Sequence, residues 1–129
     1  MPANETTLAS QVFDQLCQAM ANDSAGFTEL YRDYLSDAWQ SLQMLREAVQ
    51  QKQAQEVQER AHHLKGSSQV LGACVVAQCA AALEETARSA DIKRAGAMLE
   101  QIEQALQEVQ SELSGRLGAG VVPADKSAA

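Results

Sequence analysis

Proline is almost absent from this 129-residue chain: only Pro2 and Pro123 occur, so residues 3–122 contain no proline that would break a helix. Aromatic residues make up only 4% of the sequence, and β-branched residues are outnumbered by Ala, Gln, Leu and Glu, which favour helices. These shortages exclude a fold that is rich in β-strands. We therefore predict an all-α protein.

Basic charge and long apolar runs are also lacking. With 10 Lys and Arg residues against 17 Asp and Glu, the net charge is −7, which is unlike the basic domains that bind nucleic acid. No apolar run approaches the roughly 20 residues that span a bilayer, and residues 1–10 do not resemble a secretory signal. The three cysteines are an odd number and lie in apolar helical patterns, which indicates reduced core residues. We expect a cytoplasmic protein with no nucleic-acid or membrane partner.

Apolar residues recur at spacings of three and four along five segments, which predicts five helices. The first covers about residues 6–21, and Asp23 or Ser24 can cap the second. The chain should reverse within residues 50–56, because a helix that continued to Gly72 would be about 70 Å long and could not cover its apolar stripe. Gly72 is a suitable residue to end the third helix.

The last four helices are long, amphipathic and joined by short connections, which favours antiparallel packing. We predict a single domain over residues 1–117, in which an antiparallel four-helix bundle of about residues 24–117 follows an additional N-terminal helix. Residues 118–129, with their glycines and small residues, are predicted to be a flexible C-terminal tail.

One segment of the third helix, AHHLKGSSQVLGA over residues 61–73, combines two adjacent histidines with a lysine and a glycine. A glycine inside a helix costs about 1 kcal/mol relative to alanine, so its presence suggests a local reason. When the apolar stripe of this helix is set at 0°, ideal geometry puts His62 at about 140° and His63 at about −120°. The two histidines therefore lie on different flanks. Residues spaced i, i+3, i+4 and i+7 form one surface patch, which consists of His62, Lys65, Gly66 and Gln69.

Metal binding and hydrolysis both fit this segment poorly. Adjacent histidines on a helix diverge by about 100°, so they cannot hold one ion together. Cys74 and Cys79 are also more widely spaced than zinc-binding cysteine pairs, so we predict no metal site. A hydrolase needs a nucleophile and a base in a concave pocket, which a convex helix face does not offer. A third interpretation remains open, in which His62 is an ordinary surface histidine and Gly66 is a glycine required by packing.

Phosphoryl transfer is a further interpretation of the patch. An imidazole nitrogen can attack a phosphoryl group and hold it as a phosphoramidate, and a lysine supplies a compact positive charge and donors to phosphoryl oxygens. A glycine one turn away allows a partner's loop to approach without collision. An exposed position suits a histidine that has to react inside the active site of another protein.

The same residues resemble a known family. HHLKGSSQVLGA is similar to the phospho-accepting signature of histidine-containing phosphotransfer (Hpt) domains, H-x-[hydrophobic]-K-G-[small]-[small] with a second glycine about six residues after the first. The helical layout from about residue 7 to residue 117 is also that of the family, a four-helix bundle with an extra N-terminal helix. The resemblance implies that His62 is the phosphorylated histidine. The other matched positions are Leu64, Lys65, Gly66, Ser67, Ser68 and Gly72.

The resemblance implies a stand-alone relay protein that accepts a phosphoryl group from a receiver-domain aspartate, for example of a hybrid sensor kinase, and passes it to the receiver aspartate of a response regulator. Such a protein is a phosphocarrier without kinase activity, and the chain contains no glycine-rich phosphate loop or ATP-binding motif. No cofactor of its own is expected, because the receiver would supply Mg²⁺. We expect a monomer. The alternative is an Hpt-like helical adaptor that binds partners without phosphoryl transfer.

Two supporting positions are less well defined. Where family members often have a glutamine that bonds the active imidazole, this chain has Glu84, which would orient His62 or else be an ordinary solvated residue. Gln69 is a weaker candidate for the polar rim of the partner interface. Apolar side chains around His62 should supply most of that contact. Phe13, Met20, Tyr31 and Tyr34 are candidates, although core packing is favoured for each.

Overall fold

The computed structural model of the chain describes residues 8–89 and 91–123. Within these residues all regular structure is helical, which confirms the predicted all-α fold. The five α-helices are α1 (Ser10–Ala19), α2 (Ser24–Gln50), α3 (Ala54–Val70), α4 (Cys74–Arg88) and α5 (Ala95–Leu117), and a short 3-10 helix, Ala119–Val121, follows them.

The helix ends show why the chain reverses where it does. The Asp23 carboxylate caps α2 by accepting a 2.9 Å hydrogen bond from the amide of Gly26. The turn between α2 and α3 falls within the predicted segment 50–56, and Lys52 adopts a left-handed conformation there (φ 59°) although no glycine is available. Gly72 closes α3 with φ 82°, a conformation that glycine adopts without steric cost.

Helices α2 to α5 form the bundle. Helix α3 lies between α2 and α4, whereas α5 contacts α2 and α4 from the opposite side, so that α3 and α5 are diagonal. Leucines from every bundle helix fill the centre without solvent exposure, among them Leu35, Leu42, Leu64, Leu83 and Leu106. Burial of each such side chain contributes about 1.5–3 kcal/mol, so this shared core fixes the α3–α4 pair that carries the site.

Helix α1 is held on the bundle through an aromatic cluster. The Phe13 ring lies 5.2 Å from the Phe27 ring and 5.6 Å from the Tyr31 ring, measured between centroids. The Tyr31 hydroxyl donates to the Leu71 carbonyl oxygen at 2.9 Å. Phe13, Tyr31 and Tyr34 are buried and Met20 is partly buried, as core packing requires. The predicted start of this helix, at residues 6 and 7, lies outside the described residues.

The C-terminal segment differs from the predicted flexible tail at residues 118–123. Gly118 ends α5 with φ 91°, and the 3-10 helix that follows turns the chain back onto the bundle. Val121 is fully buried against α2 and α5, and Pro123 is buried as well. The prediction weighed the glycines of this segment and overlooked the apolar area that its valines can bury. Residues 124–129 lie outside the described residues.

Candidate functional site

His62 projects from the middle of α3, and its side chain is 67% exposed. Its Nδ1 lies 2.9 Å from Oε2 of Glu84, a residue of α4. Among the described residues, Nε2 of the ring has no hydrogen-bond partner. The buried face of α4 includes the small side chains of Ala77 and Ala80. Small side chains allow two helices to approach closely, which suits the extensive contact between α3 and α4. The ring is therefore fixed at one nitrogen and open at the other.

The Glu84 carboxylate is the centre of a charged cluster. Its side chain is only 8% exposed, and Oε1 lies 3.0 Å from Nζ of Lys65. A guanidinium nitrogen of Arg88, one turn further along α4, is 3.6 Å from Oε2. We call Glu84, Lys65 and Arg88 the carboxylate cluster. Sequence analysis did not identify Arg88, although its i+4 spacing from Glu84 is a visible signal.

The electrostatics of this cluster determine which ring nitrogen of His62 carries the proton. The hydrogen bond from Lys65 lowers the pKa of Glu84, burial raises it, and the hydrogen bond from His62 lowers it further, with a net shift below the ordinary carboxyl value. Glu84 is consequently ionised at neutral pH and can only accept hydrogen bonds. It follows that Nδ1 donates its hydrogen to Glu84, and that Nε2 of the neutral ring carries the lone pair.

Gly66 lies one helical turn after His62 and borders open space. A Cβ atom placed on Gly66 would meet no atom within 4 Å outside its own stretch of helix. The core therefore does not need a glycine here, and the packing explanation fails. Lys65, its neighbour, is half-buried, and the contact with Glu84 leaves further N–H donors of its ammonium group available.

Gln69 is not part of the same cluster. Its side chain is exposed and lines a groove of about 350 Å³ between α1, the α3–α4 turn and α4. In the described part of the chain, no hydrogen bond joins it to His62, Lys65 or Glu84. Gln69 lies on α3 two turns after His62, where it faces the groove beside α4.

His63 has a different environment on the opposite flank. Its Nε2 is 3.1 Å from Oδ2 of Asp37 on α2, and both side chains are about half exposed. Beyond this pair, a groove of about 340 Å³ runs between α2 and α3. Val70, which borders the groove, is 68% exposed and is the large hydrophobic side chain most exposed in the described residues. Sequence analysis identified neither Asp37 nor Val70.

Metal-binding clusters and membrane-spanning helices are both absent from the described residues. No group of three or more His, Cys, Asp or Glu side chains there could hold a metal ion. None of the helices in the same residues has the length and hydrophobicity to cross a bilayer.

Comparison with known proteins decides the family. The model of the Hpt domain matches residues 29–112, which include all of α3 and α4. This chain belongs to the Hpt family. Its fold is also similar to the crystal structure of histidine-containing phosphotransfer protein B (HptB) from Pseudomonas aeruginosa PAO1, with a TM-score of 0.80 and 29% identity over 86% of this chain and 94% of that one. The comparison with curated protein sequences found no match.

Membership of the Hpt family supports a phosphotransfer role in two-component signalling. Hpt proteins are phosphocarriers that interact with receiver domains of kinases and response regulators. The Hpt domain, as matched, contains His62 and Gly66 together with the whole carboxylate cluster. Helix α1 lies outside that span and is attached to it by the aromatic cluster.

Proposed function

We propose that this Hpt protein is a phosphorelay intermediate in which Nε2 of His62 accepts a phosphoryl group from the aspartate of one receiver domain and passes it to that of another. The donor would belong to a hybrid sensor kinase and the acceptor to a response regulator. The observation that carries this proposal is the 2.9 Å contact between Nδ1 of His62 and the ionised Glu84 carboxylate. It leaves a nucleophilic nitrogen on an exposed ring.

The transfer needs few groups from this chain. The Nε2 lone pair forms a bond to phosphorus as the P–O bond to the donor aspartate breaks, and the bond's electron pair stays on the carboxylate oxygen. We expect the receiver to supply Mg²⁺, so that this chain needs no cofactor of its own. Lys65 would offer its remaining donors to the phosphoryl oxygens, since ammonium groups form strong charge-assisted hydrogen bonds with such oxygens.

The surface around His62 supports docking of a receiver. Gly66 leaves open space one turn from the ring, and the α2–α3 groove with exposed Val70 lies on the other side of that glycine. An apolar side chain of the receiver could bury Val70 and displace water from the groove. Such an interface can be small, below about 1,200 Å² in total, which suits a carrier that must release each receiver after transfer.

A labelling experiment tests the role of His62. Incubation with ATP and Mg²⁺ alone should leave the purified chain unlabelled, and a phosphorylated receiver from its own organism should label it. His62→Gln should abolish the label, whereas the matched variant His63→Gln should retain it, because His63 lies on the other flank beside Asp37. The label should be lost in acid and kept in base, as phosphoramidates are.

Other outcomes of this experiment would contradict the proposal. Labelling by ATP alone would indicate a kinase activity that we do not expect. An acid-stable label would indicate a serine, with Ser67 the nearest on α3. A chain that binds phosphorylated receivers and never takes up label would be an Hpt-like adaptor, the function that the exposed Val70 groove alone would permit.

A further inference from the structure

One end of the bundle, where the α2–α3 turn meets the residues that precede α5, carries a groove with basic side chains. The groove has a volume of about 310 Å³ and is lined by Val49, Lys52, Asp91, Ile92 and Lys93. We call it the end groove. We propose that it binds a short acidic segment, with an apolar side chain, that adjoins the receiver domain of a phosphotransfer partner. This inference rests on the proposed function and concerns a second contact, away from the transfer site.

Basic side chains at this end of the bundle lack carboxylate partners. In the described residues, five Lys and Arg side chains form ion pairs, namely Arg46, Arg60, Lys65, Arg88 and Arg116. Those that form none among the same residues are Arg32, Lys52, Lys93 and Arg94. Of these, only Arg32 lies away from the end groove, on α2. The chain as a whole has a net charge of −7 and repels an acidic partner, whereas this end attracts one.

Carboxylates close by in the sequence do not pair with these cations. Asp91 lines the end groove, and its Oδ1 accepts a 3.4 Å hydrogen bond from the amide of Lys93 in its own loop. Glu56 pairs with Arg60, and Glu47 lines a separate groove. The end groove therefore presents two lysines against one aspartate, and it can accept carboxylates from another molecule.

The end groove also offers apolar surface. Val49 and Ile92 are partly buried, pack against the core and line the groove. Lys52, which is exposed, has a left-handed backbone conformation (φ 59°) that glycine or asparagine would adopt more readily. The turn itself therefore does not explain a lysine at position 52. A segment that combines carboxylates with an apolar side chain would contact both the lysines and the apolar surface between them.

The size of the end groove limits what it can bind on its own. A volume of about 310 Å³ accommodates only a few side chains, whereas stable protein interfaces bury about 1,200 Å² or more. A short segment would therefore bind weakly unless it is joined to a domain that is already bound. Joining the two raises the effective concentration of the segment at the groove.

The transfer site is close enough to supply that domain. Helix α3 begins two residues after Lys52, and His62 lies eight residues further along it, about 12 Å on the helix axis. A domain of about 100 residues has a radius of gyration of about 13 Å. A receiver placed over His62 would therefore bring adjoining segments of its chain within reach of the end groove.

Removal of the two lysines tests this contact with little demand on the fold. The double variant Lys52→Asn/Lys93→Gln neutralises both exposed side chains, and asparagine suits the left-handed conformation at position 52. The matched control is Gln101→Glu/Gln104→Glu, which causes the same change in net charge at exposed positions of α5. Helix α5 is diagonal to α3, so the control leaves the surroundings of His62 unchanged. Thermal unfolding followed by circular dichroism verifies that all three proteins are folded.

Transfer kinetics give the first measurement, with the full-length chain and full-length phosphorylated partners from its own organism. We expect the KM for a partner that uses the end groove to rise at least about fivefold in the double variant while kcat is unchanged, because a remote contact contributes equally to substrate and transition-state binding. The control should keep the KM of the wild type. Added salt should raise the KM of the wild type and reduce its difference from the double variant.

Nuclear magnetic resonance gives a second measurement that does not depend on transfer. A short peptide of glutamate and leucine, added to the ¹⁵N-labelled chain, should shift the backbone amide signals of residues 49–52 and 92–94. The same shifts should occur in the control and be lost in the double variant. A peptide of glutamine and leucine, which lacks the carboxylates, should leave these signals in place.

The two measurements separate this inference from the proposed function. If transfer proceeds and the double variant keeps the wild-type KM with every partner, the inference is wrong and the relay function stands. Unshifted amide signals at residues 49–52 and 92–94 with the glutamate peptide would also overturn it. Self-association of the wild type that the double variant lacks would assign the end groove to a second copy of the chain instead. If His62 takes up no label from any partner, the proposed function fails and the receiver-bearing partner assigned here fails with it, whatever the peptide shows.

Discussion

Substitutions at Gly66 should affect the stability of the fold and the rate of phosphoryl transfer in different ways. Gly66→Ala should raise the free energy of unfolding by about 0.5–1 kcal/mol. Alanine has a higher helix propensity than glycine, and it reduces the conformational entropy of the unfolded chain. No clash offsets this gain, since a Cβ on Gly66 meets nothing within 4 Å. The melting temperature should rise by about 2–4 °C for a chain of this size. Urea unfolding followed by circular dichroism measures the effect.

Gly66→Gln should fold at least as well as the wild type, because glutamine also favours helix and position 66 borders open space. Its side chain would stand one turn from His62, where the receiver must approach. We expect the rate of transfer from a phosphorylated receiver to fall at least about tenfold, equivalent to about 1.4 kcal/mol in activation free energy.

Gly115 provides the control for both substitutions. It is also a helical glycine with open space at its Cβ position, and it lies on α5, diagonal to α3 in the bundle. Gly115→Gln should leave transfer unchanged. If Gly66→Gln unfolds the protein, the glycine is a packing residue after all. If that variant folds and transfers at the wild-type rate, close approach beside His62 is not needed.

Two tyrosines give further predictions about stability. Tyr34→Phe removes the hydroxyl that lies 2.6 Å from Oγ of Ser68 in the core, and the loss of this buried partner should cost about 1–3 kcal/mol in urea unfolding. Burial raises the pKa of Tyr31 from 10.0 to about 12, so above pH 10.0 the unfolded state loses a proton that the folded state keeps. The Tyr31 contribution should therefore be fully present below pH 10.0 and decline as the pH rises toward 12. Tyr31→Phe should show a shallower alkaline loss of stability than the wild type, and equal slopes would contradict the assignment.

The single-helix features of this chain were predictable from its sequence. The apolar stripe of α3 is buried at Val57, Ala61 and Leu64, and Gly72 ends the helix as its residue type suggests. Periodicity also separated the two histidines correctly onto opposite flanks. Each of these features depends only on the geometry of one helix, which a spacing of residues describes directly.

Features that join two helices were harder to predict. Which residue of α4 meets His62 depends on the α3–α4 turn and on the register of the two helices, and residue spacing describes neither. Glu84 was singled out only through the family resemblance, and its ion pair with Lys65 was not foreseen. The same limit applies to Asp37 on α2, which lies 26 positions before its partner His63. Long-range pairs of this kind require the packed structure.

The two adjacent histidines differ more in the burial of their carboxylate partners than in their own exposure. His62 and His63 are similarly exposed, at 67% and 56% of the side chain, and each lies about 3 Å from a carboxylate. Glu84, however, is 8% exposed and Asp37 is 49% exposed. Water competes with Asp37 for His63, and an exposed pair of this kind contributes only about 0–1 kcal/mol, too little to fix one ring tautomer firmly. Burial of Glu84 strengthens its hydrogen bond with Nδ1 of His62. In the proposed relay, the availability of Nε2 would then depend on a residue that the receiver need not touch.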